Sequence, residues 1–162
     1  MTHLTIFTVG ILHDPLDSPG NQAFWAQAEK IWTELDGVPG FLGQIPFDPL
    51  DVNVPLHVRP YRDRAVCTLS LWQDAQALLT FAYRGNAHAQ ALRKRKDYFI
   101  RIQPNHVVWY TNGAVNPTYA QGARRMDYLV QNGPTPYAFT LHHLFTEHGH
   151  PLNRAPSPTG QE

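Results

Sequence analysis

The stretch RAVCTLSLW (64–72) restricts the fold most, because it is the clearest strand in the chain. Apolar and β-branched residues fill seven of its nine positions, and the stretch contains no proline or glycine. Successive side chains of a strand point to opposite faces, which places Ala65, Cys67, Leu69 and Leu71 on one face and Val66, Thr68, Ser70 and Trp72 on the other. The fold must therefore contain a sheet, and the remaining elements must be arranged around it.

The rest of the sequence alternates between strand and helix patterns. Further strands are predicted over residues 4–11, 38–47, 106–111 and 137–145. Helices are predicted over 21–36, 74–83 and about 86–102, and from a cap at Asn116 or Thr118 to the NGPTP stretch at 132–136. Residues 48–63 contain three prolines and no clear period, and they predict a long surface loop.

This order, β-α-β-β-α-α-β followed by an extra α-β pair, is typical of an α+β fold of ferredoxin-like layout. Such a layout has an antiparallel sheet with helices on one face. The other face would carry Trp72 and either Trp109 or Tyr110, an apolar patch too large to leave in water. A second copy of the chain is the simplest cover, so a homodimer is predicted. Residues 1–147 form the single predicted domain, and 148–162 a disordered tail.

Composition excludes several classes of function. The 13 basic and 13 acidic residues cancel, so no nucleic-acid partner is expected. No apolar run approaches the roughly 20 residues of a membrane span, and no signal-peptide pattern precedes the first strand, so a cytoplasmic protein is expected. The single cysteine, Cys67, is interpreted as a buried core residue. Four histidines near the end are interpreted as chance surface residues: His142, His143, His148 and His150.

Four stretches together resemble one family of small bacterial proteins: SLWQDAQAL, FAYRGNAHAQALRKRKDYF, VVWY and GPTPYAFTL. The match runs over roughly residues 4–145 and is similar to a family of unknown function in the dimeric α/β-barrel superfamily. That superfamily includes cofactor-free monooxygenases of antibiotic biosynthesis, haem-degrading monooxygenases and dye-decolourising peroxidases. The resemblance implies a dimeric α/β barrel with a pocket between sheet and helices. It does not fix the chemistry, because one fold hosts many reactions.

Within the predicted helix 86–102, a histidine and an arginine lie on the apolar face. At about 100° per residue, Arg95 lies about 20° from His88, and Leu92, Phe99 and Ile102 lie within about 40° of it. His88 could be a hydrogen-bonded core histidine, and Arg95 could extend its charged end to solvent. The pair could equally form a site, since a buried guanidinium needs an anion or several acceptors.

Three hypotheses about function remain open. The first is a monooxygenase-type oxidoreductase without a cofactor, in which His88 is the base and Arg95 binds an anionic group of the substrate. The second is a haem protein in which His88 is the axial ligand and Arg95 or Arg84 contacts a propionate. The third is a ligand-binding or stress-related module without catalysis. In the first two, an aromatic or other hydrophobic small molecule or the haem would lie against Tyr83, Trp72, Trp109 and Tyr98.

Overall fold

The computed structural model describes residues 1–47, 53–84 and 95–152, with the side chains of Arg84, Arg95 and Lys96 outside the described part. Its strands are β1 (Thr2–Leu12), β2 (Phe41–Ile45), β3 (Ala65–Trp72), β4 (Phe99–Ile100) and β5 (His106–Asn112). Its α-helices are α1 (Gln22–Leu35), α2 (Ala75–Arg84), α3 (Arg95–Tyr98) and α4 (Tyr119–Asn132). Two 3-10 helices cover Pro19–Asn21 and Leu56–Arg64. No helix in these ranges has both the length and the apolar character needed to cross a membrane.

The five strands form one open antiparallel sheet with β1 at its centre. The order is β2, β3, β1, and then β4 and β5, which pair with different parts of β1. Leu4 of β1 lies opposite Trp72 of β3 and Tyr110 of β5. This strand order and the α+β class agree with the predicted ferredoxin-like layout.

One face of the sheet, which we call the α4 face, packs against α4 and the second 3-10 helix. Phe7, Val9 and Ile11 of β1 are buried there against Met126 and Leu129 of α4. Val54 and Val58 are buried in the same cluster. The predictions of helices on one face only and of an open face carrying Trp72 are wrong, because α4 covers one face and α1 and α2 cover the face of Trp72. The chain covers both faces itself.

The opposite face, the α1/α2 face, packs against α1 and α2. Leu4 and Ile6 of β1 are buried with Leu35 of α1 and Leu78 of α2. The segment after α4 completes this layer with three buried residues, Phe139, Leu141 and Leu144. Both faces of the sheet are thus buried within one chain.

Three boundaries differ from the sequence-based expectation. Residues 137–145 do not form the predicted continuous strand. They form tight turns with isolated bridges, one of which pairs Phe139 with Val108. Residues 53–63 are not a surface loop, since Val54 and Val58 contribute to the core. The helix predicted to reach Ile102 ends at Tyr98, because the next two residues pair with Ile11 and Leu12 of β1.

The predicted disordered tail is described as far as Leu152. The backbone N–H of Leu152 donates to the Leu144 carbonyl at 2.8 Å, and the N–H of Thr146 donates to the His150 carbonyl at 2.7 Å. These bonds fold residues 146–152 back onto the preceding turn. The other predicted tail residues, 153–162, lie outside the described part.

The close approach of α4 to β1 at Gly122 gives a stability prediction. A methyl group on Gly122 would lie 2.6 Å from the Phe7 ring, closer than carbon atoms pack. Overpacking of this kind costs about 1–3 kcal/mol, more than the 0.5–1 kcal/mol or so that alanine gains over glycine in a helix. Gly122→Ala should therefore lower the free energy of unfolding, measured by urea denaturation, by about 1 kcal/mol or more.

Gly37→Ala is the matched control, because its methyl group would lie 3.8 Å from the nearest neighbour, the Glu34 carbonyl oxygen. Phe7→Leu in the Gly122→Ala background should recover part of the lost free energy of unfolding. A Gly122→Ala protein as stable as the wild type would show that α4 does not pack this closely on β1.

Candidate functional site

A pocket of about 750 Å³ opens beside β2, an edge strand of the sheet. This volume lies within the range of about 300–1,000 Å³ that is usual for small-molecule sites. The described residues that line it, here called the β2-edge pocket, are Leu16, Asp17, Trp25, Trp32, Gln44, Pro46 and Phe47. Its walls are mainly apolar and aromatic, with one amide and one carboxylate.

Helix α1 supplies the two tryptophans of the pocket. Trp25 and Trp32 are seven residues apart, which places them on the same side of a helix. The buried stripe of α1, which includes Phe24, Ala28 and Leu35, lies about 70° away around the helix axis. Both indoles are consequently half-buried beside the core and available to line a cavity.

The end of β2 supplies the opposite wall through Pro46 and Phe47. The Tyr119 hydroxyl of α4 donates a 2.7 Å hydrogen bond to the Ile45 carbonyl, and the Phe47 ring packs edge-on to the Tyr119 ring. Burial raises the pKa of Tyr119, so the phenol keeps its proton and remains a donor. Tyr119 thus fixes the strand end that carries Phe47.

The loop before α1 supplies Leu16 and Asp17 to the lining of this open pocket, and hydrogen bonds at both ends hold the loop. The Leu16 N–H donates to the Asp63 carbonyl at 3.2 Å, and the Leu16 carbonyl accepts from Trp25 Nε1 at 3.3 Å. The buried Asn21 amide donates to the Pro15 carbonyl at 2.7 Å. These contacts place Asp17, whose side chain is exposed, at the mouth of the pocket.

Comparison with protein-family models decides the family. A model described as a domain of unknown function, DUF3291, matches residues 3–155. The chain belongs to the DUF3291 family. No curated protein matches it.

Three solved structures are similar to this DUF3291 protein in fold. A conserved protein from Methanosarcina mazei Go1 is 12% identical at a TM-score of 0.47, and the match covers 69% of this chain and 93% of the other. A protein from Shewanella oneidensis is 10% identical at a TM-score of 0.45, and the match covers 68% of this chain and 89% of the other. A protein of unknown function from Nitrosomonas europaea is 11% identical at a TM-score of 0.44, and the match covers 73% of this chain and 95% of the other.

The two tryptophans that were predicted to line one site lie on opposite faces of the DUF3291 sheet. Trp72 is buried on the α1/α2 face, with its ring 5.2 Å from Phe41 and its Nε1 bonded to Ser70 Oγ at 3.0 Å. Trp109 is buried on the α4 face, beneath the guanidinium of Arg125 at 5.1 Å. They cannot contact the same ligand.

The other predicted site residues are not brought together in the described part. Tyr98 packs with its ring 5.6 Å from Phe24, and Tyr83 is exposed near the end of α2. His88 lies outside the described residues, as do the side chains of Arg84 and Arg95. The proposed pairing of His88 and Arg95 therefore stays a prediction.

Sequence reasoning missed the β2-edge pocket, although one signal pointed to it. Trp32 lies beside the apolar stripe of α1, and Trp25 lies two turns before it on the same side. Two tryptophans displaced together from a core stripe indicate a second apolar surface on the helix. The positions of β2 and of the loop at Leu16 could not be inferred from local patterns.

The histidines of the described residues do not form a metal centre, since no group of three or more His, Cys, Asp or Glu side chains there could hold an ion. The His106 ring has partners at both nitrogens: Nε2 accepts from the Leu141 N–H at 3.1 Å, and Nδ1 donates to Asn105 Oδ1 at 2.7 Å. This ring is held as a neutral tautomer in a structural role.

Cys67 gives a prediction about reactivity. Burial of the thiol on the α4 face raises its pKa to about 12, so almost no thiolate exists at pH 8. The native protein should leave Ellman's reagent unreacted at pH 8, and one thiol per chain should react after unfolding in urea. Rapid reaction of the native protein would contradict the buried position of Cys67.

Proposed function

We propose that this DUF3291 protein binds a small aromatic or other hydrophobic molecule in the β2-edge pocket. The observation that carries this proposal is that Trp25, Trp32 and Phe47 line an open cavity of about 750 Å³ and are only partly buried. Aromatic side chains that remain half-exposed around a cavity retain surface that a ligand can bury. Gln44 adds one donor and one acceptor to orient a ligand.

Hydrogen bonds hold two parts of the pocket wall in the absence of a ligand, which favours binding. Trp25 is bonded to the Leu16 carbonyl, and Phe47 lies two residues after Ile45, whose carbonyl accepts from Tyr119. A preformed pocket binds more tightly because fewer side chains lose rotational freedom on binding. The proposed function therefore rests on rigidity as well as on composition.

The oxidoreductase part of the original hypothesis remains a proposal that depends on His88. Asp17 is the one ionisable side chain among the described lining residues, and its carboxylate is exposed. The hypothesis assigns the base that takes a proton from a bound phenol to His88, which lies outside the described residues. Binding of an aromatic ligand is therefore the stronger proposal, and monooxygenase chemistry is a second step to be tested after it.

Membership of the dimeric α/β-barrel superfamily and a homodimer belong to the same set of proposals. The strand order β2, β3, β1, β5 supports the superfamily assignment. The sequence-based reason for a homodimer, an open apolar sheet face carrying Trp72, does not apply, because α1 and α2 cover that face and α4 covers the other. Two copies would have to associate through another surface.

Binding can be followed through the four tryptophans of the chain. Adding 2-naphthalenemethanol to ¹⁵N-labelled protein should shift the indole N–H resonances of Trp25 and Trp32 and leave those of the buried Trp72 and Trp109 in place. Trp32→Ala should weaken binding by about 5-fold or more, the loss of one aromatic contact worth roughly 1 kcal/mol.

Tyr83→Ala is the matched control, because it removes an exposed aromatic side chain that the sequence placed at the site but that does not line the pocket. This variant should bind like the wild type. Weaker binding in Tyr83→Ala with unchanged binding in Trp32→Ala would place the ligand elsewhere and refute the proposal.

The haem hypothesis has a separate test. Binding of an aromatic ligand in the β2-edge pocket requires no iron, whereas the haem hypothesis requires an axial ligand such as His88. The aromatic-binding proposal predicts no Soret band in protein produced with haem supplied and then purified by gel filtration, and the haem hypothesis predicts one. A Soret band that is lost in His88→Ala and kept in the control His142→Ala would establish the haem hypothesis instead.

A further inference from the structure

We infer that the ligand of the β2-edge pocket is an organic cation, an aromatic or alkyl ammonium whose charge lies between the indoles and Asp17. This inference rests on the proposed function and specifies its ligand class. It combines two observations: the aromatic lining and the sign of the charge at the pocket mouth.

The aromatic lining favours a cation because the face of an indole ring carries negative electrostatic potential. Trp25, Trp32 and Phe47 line the same cavity, and tryptophan is the strongest side chain for this interaction. Aromatic cages of this composition are the usual way in which proteins hold ammonium groups. A neutral ligand would use only the apolar part of this surface.

The charge at the pocket mouth is negative. Asp17 is the one charged side chain among the described lining residues, and it follows Leu16, whose carbonyl accepts from the Trp25 indole. The Trp25 indole of α1 is therefore bonded to the loop residue that directly precedes Asp17. A cation in the pocket could contact both.

The neighbouring basic groups are directed elsewhere. The Arg64 guanidinium, which belongs to the element bonded to this loop, donates to the His13 carbonyl at 2.8 Å and lies 3.5 Å from the Asp63 carboxylate. Lys30, the one lysine of α1, lies about 160° around the helix from Trp32. The described lining thus supplies no basic partner for a carboxylate or phosphate ligand.

The test compares three naphthalene probes of nearly the same shape and different charge. They are 2-naphthylmethylamine, which is protonated at neutral pH, the neutral 2-naphthalenemethanol, and the anion 2-naphthoate. Titration calorimetry and the Trp25 and Trp32 indole resonances give the affinity of each probe for the full chain. The amine should bind about 3- to 30-fold more tightly than the alcohol, and the naphthoate more weakly than either.

Two aspartate variants separate the charge from the cavity. Asp17→Asn should reduce the preference for the amine over the alcohol about 3-fold and leave the affinity for the alcohol unchanged. Asp36→Asn removes an exposed carboxylate at the far end of α1 and should leave the preference intact. Because Asp17 is exposed, the preference should also fall between 20 mM and 500 mM sodium chloride, as mobile ions screen its charge.

The outcomes distinguish this inference from the proposed function. Equal affinities for the three probes, or tightest binding of the naphthoate, would overturn the cation inference and leave the β2-edge pocket as an aromatic-binding site. An unchanged preference in Asp17→Asn would remove Asp17 from the inference and contradict it as stated. Failure of all three probes to bind would refute the proposed function and this inference together.

Discussion

Burial of β1 on both sides is the constraint on which the rest of the structure depends. This strand pairs with β3 on one side and with β4 and β5 on the other, and Leu4, Phe7 and Ile11 are fully buried. Its alternating side chains require an apolar layer above and below the sheet. The chain supplies both layers, α1 and α2 on one face and α4 with the second 3-10 helix on the other.

This double coverage bears on where a ligand can bind. In the described part of the chain both sheet faces are covered, and the β2-edge pocket lies where the two layers meet. Trp25 and Trp32 come from the layer on the α1/α2 face, whereas Phe47 packs against Tyr119 of α4. The candidate site therefore lies at the junction of the two layers, and its shape depends on both.

Local rules were enough to predict the main elements, because each depends on residues close in sequence. The strand predicted over 64–72 is observed as β3, and Thr118 forms the predicted helix cap by accepting from the Gln121 N–H. Long-range packing decided what local patterns could not. The register of β5 on β1 puts Tyr110, and not Trp109, on the face of Trp72. Residues 137–145 have the apolar composition of a strand but form turns with isolated bridges, so their composition predicted the wrong structure. The pocket is lined by three separate segments of the chain, and the sequence carries a local signal for only one of them, the spacing of the two tryptophans in α1.

The central claim, that one chain covers both faces of its own sheet, can be tested with isotope-filtered nuclear Overhauser measurements. A sample mixed from labelled and unlabelled chains separates contacts within a chain from contacts between copies. The structure predicts strong contacts from the Phe7 ring to Gly122 and Met126 within one chain. Contacts from Phe7 that appear only between copies would show that a second chain covers this face, and would contradict the account.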